Sequence, residues 1–118
     1  MRVPILKEGN YLIASIQSSL SDHELLQLME DLIVQVQRVR AKGVIIDVTV
    51  LDIMDSFSTR TLRDIASMIR LRGATTVIVG IQPEVAFAMV QLGLNLGDIY
   101  TALDLDEGIS LLNSVVGR

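Results

Sequence analysis

Two apolar runs restrict this chain more than any other feature. They are Gly43-Val44-Ile45-Ile46-Asp47-Val48 and Ala74 to Ile81, the latter including Thr75-Thr76-Val77-Ile78-Val79. A continuous apolar run suits a strand covered on both faces. Each run is followed by apolar residues at helical spacing. After the first come Leu62, Ile65, Ala66 and Ile69, in a segment from about Thr61 to Arg72 that Gly73 ends. After the second come Val85, Ala88, Met89 and Leu92, entered through Gln82-Pro83-Glu84 and stopped by Gly93. Pro83 fits the first helical position, where a missing N–H costs nothing.

The flanking segments extend this alternation. Val3 to Lys7 and Tyr11 to Gln17 are strand candidates joined by the turn Glu8-Gly9-Asn10, which makes an N-terminal hairpin. Ser21-Asp22-His23-Glu24 is a capping box. The helix it opens carries Leu25, Met29, Leu32, Val36 and Val39, widened by Leu26 and Ile33, and Gly43 is its expected stop. Gly93-Leu94-Asn95-Leu96-Gly97 reads as a helix stop and turn. Asp98-Ile99-Tyr100-Thr101 is a weak last strand. Asp104 or Asp106 caps a final helix bearing Ile109, Leu112, Val115 and Val116, ended by Gly117. The predicted order is β-β-α-β-α-β-α-β-α. It is an α/β fold, a mostly parallel sheet flanked by four helices, in one domain spanning 1–118. Sites on such sheets lie at the carboxyl ends of the strands.

Composition narrows the function. The chain is 50% apolar but only 3% aromatic, so the core must be aliphatic. No apolar run approaches the ~20 residues of a membrane span, and the start, Met1 to Glu8, lacks a secretory apolar stretch. Cysteine is absent, which fits the cytoplasm. A net charge of −4 argues against general nucleic-acid binding. The high apolar content in so small a chain points to an apolar surface that meets a protein partner.

The chemistry-bearing stretch is Asp52-Ile53-Met54-Asp55-Ser56-Phe57-Ser58-Thr59, between the first apolar run and its helix. Hydroxyls at such a junction sit where unpaired helix N–H groups converge. That place suits a capping residue, a nucleophile or a residue another enzyme phosphorylates. The only histidine is His23, in the capping box, and there is no thiol. A Ser-His-Asp site, a cysteine nucleophile and an ordinary zinc site all lack parts. No phosphate-binding glycine loop occurs. Lys7 and Lys42 fall in a turn and at a helix end, which disfavours a buried catalytic lysine. Asp47, Asp52 and Asp55 could hold Mg²⁺ as in a phosphoaspartate receiver, but the acidic pair after the first strand and the late lysine are missing. No metal and no cofactor is expected. Asp55 or Ser56 serves as the helix N-cap.

Asp55-Ser56-Phe57, after an apolar strand and before a helix, resembles the phospho-acceptor site of STAS domains of the anti-sigma-factor-antagonist type. Other stretches in register carry the resemblance across the chain: Pro4-Ile5-Leu6-Lys7, Ser15-Ile16-Gln17, Gly43 to Asp47, Gly80-Ile81-Gln82-Pro83 and Thr101-Ala102-Leu103-Asp104-Leu105. Within that family it is most similar to the RsbS group of stressosome scaffolds. The resemblance implies a non-enzymatic scaffold that co-assembles with RsbR-type paralogues and sequesters an RsbT-like serine kinase. Phosphorylation by that kinase on stress would release it, and an RsbX-like phosphatase would reset the system. A homo-oligomer or dimer is expected. The family's acceptor maps to Ser56, with Ser58 second and Thr59 third, because RsbR-type relatives use threonines. Asp52, Asp55, Phe57 and Arg60 become the candidate partner contacts. The chain departs from many antagonists in carrying Phe57 and Ser58 where a small residue follows the acceptor. The alternatives are a stand-alone antagonist that binds an anti-sigma kinase one-to-one, and a small-ligand or nucleotide module at the strand ends. Arg60, Arg63, Arg70 and Arg72 form a solvated helix face or part of an assembly contact.

Overall fold

The structure, a computed structural model, describes residues 3–116. The order matches the expected one: β1 (Ile5–Glu8), β2 (Tyr11–Ser15), α1 (Asp22–Val39), β3 (Gly43–Asp47), α2 (Ser56–Leu71), β4 (Thr75–Val79), α3 (Pro83–Gln91), β5 (Tyr100–Ala102) and α4 (Leu105–Val116). The five strands lie side by side in sequence order. β1 pairs antiparallel with β2, and β2, β3, β4 and β5 are mutually parallel.

Strand alternation divides the core in two. Leu12, Ala14, Val44, Ile46 and Ile78 face one way and pack with Leu32 of α1, Ile65 of α2 and Val85 of α3. Ile13, Ile45, Val77 and Val79 face the other way and meet Leu112 of α4. The central strands are thus covered on both sides, as their unbroken apolar runs require. Burying each large aliphatic side chain contributes about 1.5–3 kcal/mol.

Several local expectations shift. The buried stripe of α1 is Leu25, Leu28, Leu32 and Val36. Met29, Ile33 and Val39 flank it half-buried, and Leu26 is exposed. α1 ends at Arg40, a left-handed C-cap with φ 53°. Gly43 is therefore not the helix stop. It opens β3, where a Cβ would stand 2.8 Å from Leu112 Cδ1. β1 takes in Glu8, which leaves Gly9 and Asn10 as the turn. α2 begins at Ser56, five residues earlier than its apolar spacing indicated. In α3 only Val85 and Met89 are buried, while Ala88 and Leu92 face solvent. β5 is confined to Tyr100–Ala102. Asp104, not Asp106, caps α4, accepting from the Glu107 N–H at 2.9 Å. Met1, Arg2 and the proposed helix stop at Gly117 lie outside the described residues.

Candidate functional site

The Asp52–Thr59 segment leaves the carboxyl end of β3, in the middle of the sheet. Its path is set by short-range polar bonds. Asp47 Oδ1 accepts from the Thr49 N–H (2.9 Å) and the Thr49 hydroxyl (2.6 Å), which turns the chain out of the sheet. The Leu51 N–H donates to the Val48 carbonyl at 2.9 Å. Gln82 Nε2 donates to the Thr49 carbonyl at 2.7 Å and ties this loop to the start of α3. Gly80 makes the close approach possible, with φ +82° and an added Cβ only 3.0 Å from Thr49 Cβ. Leu51 and Met54 are buried anchors in the first core, and between them Asp52 and Ile53 are exposed.

Asp55 closes the loop as the N-cap of α2. Its backbone is extended (φ −85°, ψ −177°), and its Oδ1 accepts from the Ser58 N–H at 2.7 Å. That N–H, which the carboxylate accepts, holds the Asp55 carboxyl below the usual carboxylate range. The alternative of Ser56 as cap is thereby removed: Ser56 is the first residue of the helix.

The three hydroxyls differ sharply in access. Ser56 is exposed, Ser58 is half-buried and Thr59 is buried. Thr59 has 2% exposure and its Oγ1 has no hydrogen-bond partner among the described residues. A modifying enzyme reaches Ser56 directly and Thr59 only if the first turn of α2 opens. Extending the Leu62, Ile65, Ile69 spacing back by three residues places Thr59 on the same buried stripe, a signal present in the sequence. Phe57 is half-buried and Arg60 is exposed. Asp52, Asp55, Phe57 and Arg60 therefore surround the hydroxyls in one short segment, with Phe57 the least accessible of the four. His23 is exposed in the first turn of α1. Among the described residues no group of three or more His, Cys, Asp or Glu is placed to hold a metal ion.

A groove of about 220 Å³ adjoins Ser58, and neither Ser56 nor Thr59 lines it. Leu20 and Leu25 line it from the α1 side, Ile53 and Asp55 from the loop, and Ser58 and Leu62 from α2. Spacing gave no hint of it, because it forms where two loops distant in sequence meet.

Ser56 thus stands exposed at the start of α2, beyond the carboxyl end of the central strand β3. Residues 2–107 match the model of the STAS domain. The chain belongs to the STAS domain family. Among solved STAS structures, a serine-to-glutamate variant of RsbS from Moorella thermoacetica is 35% identical, with a TM-score of 0.85 and full coverage of both chains. A chain from a structure described as the molecular architecture of the stressosome, a signal integration and transduction hub, is 34% identical, with a TM-score of 0.79 over 98% of this chain and 100% of that one. Among curated proteins, the RsbT co-antagonist protein RsbRA of Bacillus subtilis (strain 168) is 30% identical over 92 residues, 78% of this chain. The chain spans only 34% of the length of that relative. These matches make this STAS chain similar to an RsbS, to a chain of the stressosome and to RsbRA. No helix among the described residues is long and apolar enough to cross a membrane.

Proposed function

We propose that this chain is a non-enzymatic, RsbS-like stressosome scaffold and that all of it forms one STAS domain. It co-assembles with RsbR-type paralogues in the cytoplasm and holds an RsbT-like serine kinase. On stress the kinase phosphorylates Ser56 and leaves to act downstream, and an RsbX-like phosphatase removes the phosphate. The observation that carries this reading is the exposure of Ser56 at the first position of α2, in a chain that matches an RsbS along its whole length. Kinship with the RsbT co-antagonist supports the paralogue and kinase partners.

The chemistry of the switch follows from the site. A phosphate on Ser56 brings about two negative charges beside Asp55 and Asp52. The helix N-terminus attracts that charge and the two carboxylates repel it. The opposing effects leave the fold little changed, whereas a partner seated against exposed Ile53 and half-buried Phe57 meets a new anion. Kinase capture tests this. In a pull-down with the RsbT-like kinase, Ser56→Ala retains the kinase and Ser56→Asp loses most of it. Equal retention by the two variants contradicts the switch.

A further inference from the structure

α3 differs from the other helices in what it turns to solvent. Its buried residues are Val85 and Met89 alone. Phe87 is 65% exposed and Val90 78%, and Leu92, the C-cap, is 69% exposed. Phe87 is one of two phenylalanines in the chain. The other helices put charge on their outer faces: Glu30 and Arg38 in α1, Arg63 and Asp64 in α2, Asp106 and Glu107 in α4. Between Glu84 and Asp98 the sequence has no charged residue. A surface helix ordinarily sets polar and charged residues opposite its buried stripe. So short a helix also takes most of its stability from tertiary packing, and here two buried side chains supply it. The outer face of α3 has the composition of an interface core, aromatic and aliphatic with charge depleted.

We propose that this face binds the same face of a second copy of the chain, in a two-fold dimer with the two α3 helices antiparallel. The charge pattern selects this occupant. In an isologous contact one surface meets itself, so a charge near the axis would face its own like. α3 has none there. A two-fold axis midway between Phe87 and Val90 seats Phe87 of each copy against Val90 of the other. The two Glu84 carboxylates are then about 14 Å apart along the helices, at 1.5 Å per residue. That exceeds the ~10 Å over which charges act in 0.1 M salt. A partner selected by charge would find only Glu84 to pair with. A paralogue of the same fold is the competing occupant, and the experiment separates the two. The proposal needs neither Ser56 nor a kinase.

The test is sedimentation equilibrium of the full chain alone over a range of concentrations. The expected result is a reversible dimer of the 13.0 kDa chain. Phe87→Glu and Val90→Lys change exposed positions and leave the urea midpoint of the monomer in place. Each raises the dimer dissociation constant roughly tenfold or more, as loss of a central apolar contact does. Mixed in equal amounts, the two variants recover the dimer. The introduced carboxylate meets the introduced ammonium on one side of the axis, and the Phe87–Val90 contact on the other side stays native. Leu6→Lys alters an exposed apolar position on β1, at the opposite edge of the sheet from β5, and leaves dimerisation unchanged. A monomer at every concentration, a dimer that both α3 variants keep, a mixture that stays monomeric, or equal weakening by Leu6→Lys would each overturn the proposal. A chain that is monomeric alone, and loses an RsbR-type partner on Phe87→Glu, would assign the face to the paralogue and overturn it too.

Discussion

At the residue scale, Asp55 and Ser56 divide two duties that the sequence left on the same hydroxyl-rich stretch. Asp55 caps the helix through its bond to the Ser58 N–H, so Ser56 has no capping task and stands exposed. Asp55→Ala should lower stability by about 1 kcal/mol, as loss of an N-cap does, measured by urea unfolding at neutral pH. Because the Asp55 pKa is depressed on folding, its charge-dependent contribution is fully present above the ordinary value of 3.8. That contribution fades as pH falls through the lowered folded value. The gap in stability between the native chain and Asp55→Asn should therefore be constant from neutral pH down to about 5 and narrow in stronger acid. A gap that widens on acidification contradicts the capping assignment. The cap was half-legible in the sequence, which offered Asp55 and Ser56 equally. The choice depends on the extended backbone at Asp55, and composition and spacing carry no such information.

Elements with a long apolar period were legible; those fixed by contacts between distant segments were not. β3 and β4 followed from Val44-Ile45-Ile46 and Val77-Ile78-Val79, because strands buried on both faces have no polar alternation. The early start of α2 was hidden because Ser56, Phe57 and Ser58 carry no apolar period, although Thr59 does. The groove beside Ser58 depends on Leu20 and Ile53 meeting across two loops. The last helix shows the same limit. Gly108 sits inside α4, where glycine is unfavourable relative to alanine by roughly 1 kcal/mol. Its use is the close approach of α4 to the sheet: a Cβ there would stand 2.7 Å from Val79 Cγ1. Gly108→Ala should therefore destabilise the chain by about 1–3 kcal/mol through overpacking, despite its better helix propensity. An unchanged or raised melting temperature contradicts that account of how α4 docks.

On the scale of the whole molecule, the parallel sheet brings the starts of α1, α2, α3 and α4 to the end where β2, β3, β4 and β5 finish. Acidic residues occupy the first turns of three of them: Asp22 and Glu24 in α1, Glu84 in α3, Asp106 and Glu107 in α4. The first turn of α2 has none and carries serines instead. Phosphorylation of Ser56 would add negative charge inside the first turn of α2, beside the charge that the Asp55 cap already carries, on the same end of the molecule. Apolar side chains stay exposed elsewhere, with Phe87 at 65%, Val90 at 78% and Leu103 at 80%, surface available to paralogues in an assembly. Mixed with an RsbR-type partner, the chain should form a megadalton particle by light scattering. A mixture that stays at the mass of small oligomers favours the stand-alone antagonist. The most direct test of the central claim is phosphate mapping by mass spectrometry after incubation with an RsbT-like kinase and ATP. The account predicts a single major phosphate on Ser56, little on Ser58 and none on Thr59. No phosphate anywhere in residues 56–59, or phosphate mainly on buried Thr59, would contradict it.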